Sequence, residues 1–174
     1  MNSTSKKIIY RFIPLLLIIG VIFYSSAQPY SEQNIQPLLG ENLKLPDSVI
    51  ALLSKIHFTY AGMEVSIEAL GLPAFIEFFI RKGAHFSVYF AMAFLLASIV
   101  KFWVRRTWKW TAVTIGIVFL YACSDEWHQS FTGDRTPLFH DVMIDTAGGL
   151  AGIAVYLLCR KYKKAKVMKG SPHV

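Results

Sequence analysis

Several features that would indicate a familiar class of enzyme are missing from this sequence. It has no His-Glu-x-x-His motif and no pair of closely spaced cysteines, so it lacks the signatures of a dedicated zinc site. No serine or cysteine stands in a recognised nucleophile motif. The two cysteines, Cys123 and Cys159, are predicted at opposite ends of neighbouring membrane helices. A disulfide needs Cα atoms within about 7 Å, so we expect two free thiols.

Long stretches of the chain carry almost no charged residues and consist mainly of apolar ones. Hydrophobic residues make up 54% of the 174-residue chain and the mean hydropathy is +0.43, which is too apolar for an ordinary soluble domain. A helix needs roughly 20 apolar residues to cross the hydrocarbon core of a bilayer. Four segments approach this length, at about residues 8–24, 84–100, 109–128 and 141–159. The sequence therefore excludes a soluble enzyme and predicts an integral membrane protein.

These segments predict an all-α membrane protein with a four-helix transmembrane bundle. Residues 1–165 would form a single transmembrane domain, and residues 166–174 would form a mobile basic tail. Most of the 18 basic residues flank the first span, fill the turn between the second and third, or follow the fourth, whereas all 11 acidic residues lie elsewhere. Because short basic flanks stay in the cytoplasm, both termini are predicted to be cytoplasmic. The basic excess is thus a topology signal and does not indicate a nucleic-acid partner.

The N-terminal segment allows a second interpretation. Its basic start, its apolar run and the sequence Ser25-Ser26-Ala27 also resemble a signal peptide with a small-residue cleavage site. Cleavage after Ala27 would leave three spans, and the cytoplasmic placement of the C-terminal tail would then be hard to explain. We therefore favour a first helix that is retained.

The segment between the first two spans, residues 28–72, is predicted to be extracytoplasmic. Prolines and a glycine interrupt its first half, and Asp47-Ser48 is then predicted to be the N-cap of a short helix with one apolar face. Such helices suit the membrane surface, so we expect short interfacial helices between spans 1 and 2. Pro73 fits the first turn of a further helix that continues to Val100.

Polar residues collect at the predicted outer ends of the spans. Ionisable groups beside hydrocarbon-length segments are costly, so they need water, one another or a ligand. Residues spaced to share one helix face form three sets: His85 with Tyr89; Asp125 with His128 and Gln129; and Asp141 with Asp145. Gly148, Gly149 and Gly152 predict a close approach of the fourth helix to a neighbour, which would draw Asp145 toward the other sets.

Three chemistries fit this predicted outer-face site, and the residues do not choose among them. The candidate catalytic residues, acting as general acid, general base or proton relay, are His128, His85 and Asp125. The arginines and the lysine in this region could bind an anionic group. The candidate ligand-binding residues are Arg81, Lys82, Tyr89, Gln129, Arg135 and Gln28. The candidate ligands of a divalent cation are Asp141 and Asp145. The simpler alternative is a set of helix caps and structural ion pairs, with Glu126 and Asp134 as solvated loop charges.

Five pieces of the sequence, taken together, match a known pattern. They are residues 26–29 (Ser-Ala-Gln-Pro), residues 81–86 with Tyr89, residues 125–131, Arg135, and residues 141–149 with Gly152. In these pieces the chain resembles the VanZ-like family of bacterial membrane proteins, named after an accessory protein associated with teicoplanin resistance. The chain departs from the family's usual residues at Val88, where a glutamate is common, and at Gly133-Asp134, where Pro-Gly is common.

The resemblance implies a multi-pass protein of the bacterial cell membrane, associated with the response to glycopeptide or lipoglycopeptide antibiotics. Our leading hypothesis is that the outer-face pocket binds an anionic envelope lipid headgroup or a cell-wall precursor and so alters antibiotic access. An alternative is a membrane hydrolase or transferase that acts on a lipid-linked substrate in the same pocket. A third possibility is an ion or proton-coupled transporter. It is weaker than the other two, because a conducting route usually has polar groups at mid-depth and the middles of the four spans carry almost no charge.

Overall fold

The computed structural model of the chain describes residues 3–132 and 136–169, which are mostly helical. The long helices are α1 (Ser3–Ser26), α6 (Leu72–Val100), α7 (Thr107–Gln129) and α8 (Phe139–Lys169). Short elements fill the chain between α1 and α6, namely α2 (Tyr30–Gln33), α3 (Gln36–Asn42), α4 (Asp47–Leu53), β1 (Phe58–Tyr60), β2 (Met63–Val65) and α5 (Ile67–Leu70).

Within the described ranges, three helices are long and apolar enough to cross a membrane: Ile8–Ser26, Leu72–Val100 and Phe139–Val167. This confirms a helical membrane protein and supports three of the four predicted spans. The helix at the position of the other predicted span, α7, is not among the three. Its apolar run, residues 110–123, is shorter than the hydrocarbon core requires, and Asp125 and Glu126 follow at once.

Helices α6 and α8 lie side by side and run in the same direction. The residue pairs that meet along them keep a nearly constant register: Lys82 with Asp141, His85 with Asp145, Phe86 with Gly148, Phe90 with Gly152, and Phe94 with Tyr156. Helix α7 runs antiparallel to both and packs against each. Helix α1 contacts α6 and α7. The four long helices therefore place the ends of α1 and α7 beside the starts of α6 and α8.

The contact between α6 and α8 depends on glycine. A Cβ atom at Gly148 would collide with the carbonyl oxygen of Phe86, and one at Gly152 would collide with that of Phe90. A Cβ at Gly149 would lie 2.6 Å from Cγ1 of Val118 on α7. Such small-residue contacts let helix backbones approach closely in membranes. The predicted close approach of this helix to its neighbours is thus confirmed.

Most fully buried side chains lie where α6, α7 and α8 meet. Tyr89, Ala93, Trp110 and Val118 are completely buried there. Helix α1 adds only Leu15 and Ile22 to this core, and most of its other apolar side chains are exposed. Exposed leucine, isoleucine and phenylalanine side chains are the surface expected of a helix that faces lipid. Helix α1 is therefore the most peripheral of the long helices.

The segment between α1 and α6 contains a β-hairpin that the all-α prediction missed. Strands β1 and β2 pair antiparallel through a turn in which Ala61 and Gly62 both have positive φ, at 51° and 84°. Two successive positive φ angles are typical of tight hairpin turns, whose usual sequence signal is Asn-Gly or Asp-Gly. Here Ala61 replaces that signal, which explains the omission.

Helix α8 is longer than the predicted fourth span. It continues to Lys169, so residues 166–169 of the predicted mobile tail are helical, and residues 170–174 lie outside the described residues. The short helix α4 begins at Asp47, with Pro46 at the capping position, one residue earlier than the predicted cap. Both cysteines are free, as predicted.

Replacing Gly152 by alanine is expected to destabilise the protein by about 1–3 kcal/mol, because the added methyl group must push α6 and α8 apart. Gly116→Ala is the matched control, since no atom lies within 4 Å of a Cβ at that helical position. Thermal unfolding in detergent measures both variants. Equal melting temperatures for the two would contradict the assigned contact.

Candidate functional site

Polar side chains from all four long helices meet where α1 and α7 end and α6 and α8 begin. We call this region the acidic end; its main residues are Ser26, Glu77, Lys82, His85, Asp125, Glu126, Asp141 and Asp145. The opposite ends of the same helices contain no aspartate or glutamate. Five of the eight are buried acidic or hydroxyl side chains, namely Ser26, Glu77, Asp125, Glu126 and Asp145. Burying so many acidic groups together requires compensating hydrogen bonds or positive charge.

The carboxylate of Asp125 is held between α1 and α7. The Ser26 hydroxyl donates to its Oδ1 at 2.5 Å, and the Gln129 amide donates to its Oδ2 at 3.1 Å. All three side chains are buried. The spacing of Asp125 and Gln129 places both on the inner face of α7, as their i,i+4 relation predicted. Ser26 thereby attaches the end of α1 to the site.

Asp145 is the least compensated group in the region. Its side chain is 0% exposed, and neither carboxylate oxygen has a hydrogen-bond partner among the described residues. Its ionic neighbour is His85, whose Nδ1 lies 3.4 Å from Oδ1 of Asp145. A buried carboxylate with an incomplete set of partners is costly, because one imidazole compensates only part of its lost hydration. Asp145 therefore calls for an additional positively charged partner.

His85, Asp125 and Asp145 together form a compact group of donor atoms. One ligand atom from each lies within 4.8 Å of the other two. The hydroxyl of Tyr89 is completely buried beside them and also lacks a hydrogen-bond partner among the described residues. Two carboxylates and an imidazole are suitable ligands for Mg²⁺, Mn²⁺ or Zn²⁺. We call this group the His85–Asp125–Asp145 triad.

Asp141, the other predicted metal ligand, has different neighbours. Its Oδ1 accepts a hydrogen bond from the Tyr60 hydroxyl at 2.5 Å and pairs with the ammonium group of Lys82. The Lys82 ammonium also lies 4.9 Å from the centre of the Tyr60 ring, and the His140 ring packs against the same tyrosine. Burial and the adjacent Asp141 carboxylate raise the pKa of Tyr60 above its ordinary value, so the phenol stays a donor at neutral pH. The hairpin that the sequence interpretation missed thus supplies Tyr60 as a hydrogen-bond donor to Asp141.

Glu77 is a buried carboxylate that the sequence interpretation overlooked. It accepts hydrogen bonds from the Tyr30 hydroxyl at 2.9 Å and the Gln36 amide at 2.7 Å. Arg81 lies one turn later, 4.0 Å from Glu77, with its guanidinium over the Tyr30 ring. Burial and the Glu77 carboxylate raise the pKa of Tyr30. The signal was available, because Glu77, Arg81, His85 and Tyr89 recur every four residues on one face of α6.

The expectation that Glu126 is a solvated loop charge is wrong. Its side chain is buried, and its Oε2 accepts a hydrogen bond from the backbone N–H of Leu138 at 2.9 Å. The residue therefore fixes the chain just before α8 begins. Asp134, predicted to behave in the same way, lies outside the described residues.

Two cavities flank α1 and reach the triad from opposite sides. One, of about 240 Å³, lies between α1 and α7 and is lined by Phe23, Tyr121, Ser124, Asp125, Trp127, His128 and Phe131. The other, of about 180 Å³, lies between α1 and α6 and is lined by Val21, Ile22, Ser25, Ser26, Ala84, His85 and Val88. Each combines apolar walls with polar groups of the triad. His128 stacks on Phe23 at 4.7 Å in the first cavity, and its Nδ1 has no described partner.

The remaining predicted residues are placed less centrally. Gln28 follows α1 and is partly buried, and its backbone N–H donates to the Ser25 carbonyl at 3.3 Å. Arg135 lies outside the described residues. Arg81 and Lys82 are near the triad, but each is already close to a carboxylate.

Long apolar helices that converge on a buried polar cluster at one end define a helical membrane protein with a polar site at its acidic end. The sequence model of the VanZ/LLP1 family matches residues 11–160, which is most of the chain. The chain belongs to the VanZ/LLP1 family, as the resemblance of its motifs predicted. No significant match was found among curated proteins or among solved structures.

Replacing Glu77 by alanine is expected to free the segment of α2 and α3. The change removes two side-chain hydrogen bonds to a carboxylate, and bonds to charged groups are worth about 1.5–3 kcal/mol each. Amide hydrogen exchange over residues 30–43 should accelerate in Glu77→Ala. Glu68→Ala, at an exposed position in α5, is the control and should leave that exchange unchanged. Unchanged exchange in both variants would contradict the role given to Glu77.

Proposed function

We propose that the acidic end is an extracytoplasmic site that binds the anionic headgroup of an envelope lipid or a lipid-linked cell-wall precursor through a divalent cation. The His85–Asp125–Asp145 triad holds the cation, and the headgroup completes the cation's coordination. The protein is a multi-pass protein of the bacterial cell membrane, in which α1, α6, α7 and α8 form a four-helix transmembrane bundle. Helix α7 crosses with its terminal acidic residues at the outer surface.

The charge distribution supports this orientation. Basic residues occur at the start of α1, between α6 and α7, and at the end of α8, all at the end opposite the triad. The positive-inside rule assigns these ends, and both termini, to the cytoplasm. The short helices and the hairpin between α1 and α6 then lie at the outer surface, where they cover the start of α6.

The observation that carries the proposal is the buried carboxylate of Asp145, whose oxygens accept no hydrogen bond from the described residues and whose ionic neighbour is His85 at 3.4 Å. With Asp125 beside it, the floor of the site has two acidic groups and one imidazole. Such a floor repels an anion, and the nearby cations Arg81 and Lys82 are close to Glu77 and Asp141. A bound divalent cation offsets the two carboxylates and offers its open positions to phosphate oxygens. In this proposal the anionic headgroup binds to the metal cation, whereas the sequence suggested direct binding by arginine and lysine side chains.

The cavities on either side of α1 favour a lipid over a free anion. Both have mainly apolar walls, and both reach a member of the triad. An amphipathic molecule can place its headgroup at the triad and its chain along α1, which packs loosely and faces lipid. Sequestration of such a lipid or precursor at the outer surface would alter the access of glycopeptide antibiotics to the envelope.

Asp145→Asn is the direct test, because it removes one charged ligand while keeping the size of the side chain. Purified protein is incubated with Mn²⁺ or Zn²⁺ and with phosphatidylglycerol or a polyprenyl diphosphate, then examined by elemental analysis and native mass spectrometry. The wild type is expected to retain one metal ion and to bind anionic lipid at least tenfold more tightly with metal than with a chelator. Asp145→Asn should lose both properties.

Asp47→Asn is the matched control, since Asp47 is exposed and far from the triad in sequence. It should retain metal and lipid. Cells that express the wild type should survive higher teicoplanin concentrations than cells that express Asp145→Asn. Metal-free wild-type protein with unchanged lipid affinity would overturn the proposal and favour a structural ion-pair network.

A second candidate function is hydrolysis or group transfer on a lipid-linked substrate at the same site. It is favoured by His128, which lines a cavity together with Asp125 and has a ring nitrogen without a described partner. A histidine so placed is suited to act as general base. Turnover of a labelled polyprenyl diphosphate that falls at least 100-fold in His128→Ala, but not in the exposed His57→Ala, would establish catalysis. Binding without turnover would exclude it for this substrate.

A further inference from the structure

A further cavity, distinct from the two beside the triad, lies at the opposite end of the long helices and has charged walls. Its volume is about 250 Å³, and its lining comes from α1, α6 and α8. The lining residues are Arg11, Phe94, Leu95, Ser98, Lys101, Tyr156, Cys159, Arg160 and Lys163. We call it the basic cavity. Four of these side chains are cationic and none is acidic.

The segments that line the basic cavity contain no acidic side chain. Residues 1–31, 78–124 and 146–174 contain no aspartate or glutamate, and the walls come from these segments alone. The ion pairs of the described residues lie at the acidic end. Four cations that share one cavity without a counter-charge repel one another, so the cavity favours an anionic occupant.

Two of the four cations are held in place by the fold. The Arg11 guanidinium donates to the Ser98 carbonyl at 2.9 Å and lies 5.3 Å from the centre of the Phe102 ring. The Lys101 ammonium lies 5.2 Å from the Tyr156 ring and 5.4 Å from the Phe102 ring. Among the described residues Arg11 donates one hydrogen bond, so further donors remain for phosphate oxygens. Holding the cations in advance reduces the ordering cost of binding.

Helix α8 supplies the other two cations on one face. Tyr156, Arg160 and Lys163 are spaced by four and three residues, and the two basic side chains are exposed. Phe94 and Leu95 of α6 give the same cavity an apolar wall. A phosphate group would therefore meet cations on two sides, with hydrocarbon beside it.

We infer that the basic cavity binds the phosphate headgroup of an anionic phospholipid from the leaflet on that side of the membrane. The apolar wall accommodates the first part of an acyl chain, which a free phosphate ion cannot use. Basic pockets between membrane helices are suited to such headgroups. The inference shares the proposed orientation, which makes this the cytoplasmic leaflet, but it does not depend on the ligand of the acidic end.

The test compares two double variants that lose the same charge. Arg160→Gln/Lys163→Gln removes exposed cations from the cavity, and Arg105→Gln/Arg106→Gln removes exposed cations outside it. Native mass spectrometry of detergent-purified full-length protein measures the binding of phosphatidylglycerol, with phosphatidylcholine as the neutral lipid and with a chelator present to remove metal-dependent binding at the acidic end. The cavity variant should lose about tenfold in affinity for phosphatidylglycerol, while the control variant should stay within twofold of the wild type. Lys101→Gln should weaken binding in the same direction.

Three outcomes would overturn the inference. Equal losses in the two double variants would indicate general attraction to positive charge. Phosphatidylcholine binding as tight as phosphatidylglycerol binding would show that the headgroup charge is not recognised. Competition by millimolar inorganic phosphate would identify a site for free anions. Asp145→Asn should bind phosphatidylglycerol at this cavity as the wild type does, so failure at one end is distinguishable from failure at the other.

Discussion

The close contact between α6 and α8 is the constraint on which the rest of the structure depends. Glycines at positions 148 and 152 bring the α8 backbone against the carbonyl groups of Phe86 and Phe90. Because the two helices run in the same direction, this contact fixes which residues face one another one and two turns earlier. Lys82 then meets Asp141, and His85 meets Asp145. A wider spacing would separate Asp141 from Lys82 and Asp145 from His85.

The same contact concentrates acidic groups in a place with little water. Asp125, Glu126, Asp145 and Glu77 are all buried, and the groups around them satisfy these carboxylates to different degrees. Glu77 has donors from the segment between α1 and α6, and Asp125 has donors from α1 and α7. Asp145 has only the edge of an imidazole. Burial of charge is tolerated where partners are complete, so the incomplete partner set of Asp145 marks the position at which a ligand would have the largest effect.

The sequence predicted the parts of this arrangement that follow from helical spacing. His85 with Tyr89, Asp125 with Gln129, and the glycines of α8 lie where the four-residue period placed them, and the family was identified from the same motifs. Spacing within a helix does not reveal partners from distant segments. Tyr60 reaches Asp141 through a hairpin whose turn lacks the usual asparagine or aspartate. Glu77 begins the four-residue series that continues through Arg81, but its hydrogen-bond partners Tyr30 and Gln36 are more than 40 residues away, so its burial could not be read from the spacing.

Helix α1 is fastened mainly at its two ends. Ser26 bonds to Asp125 at one end and Arg11 bonds to the Ser98 carbonyl at the other. Between them the Tyr121 hydroxyl donates to the Ile19 carbonyl, and Leu15 and Ile22 are the buried apolar side chains among the described residues of the helix. Its position therefore depends on a few polar contacts more than on packed area. A helix held in this way can shift when one of these polar contacts is lost, while α6, α7 and α8 remain packed on one another.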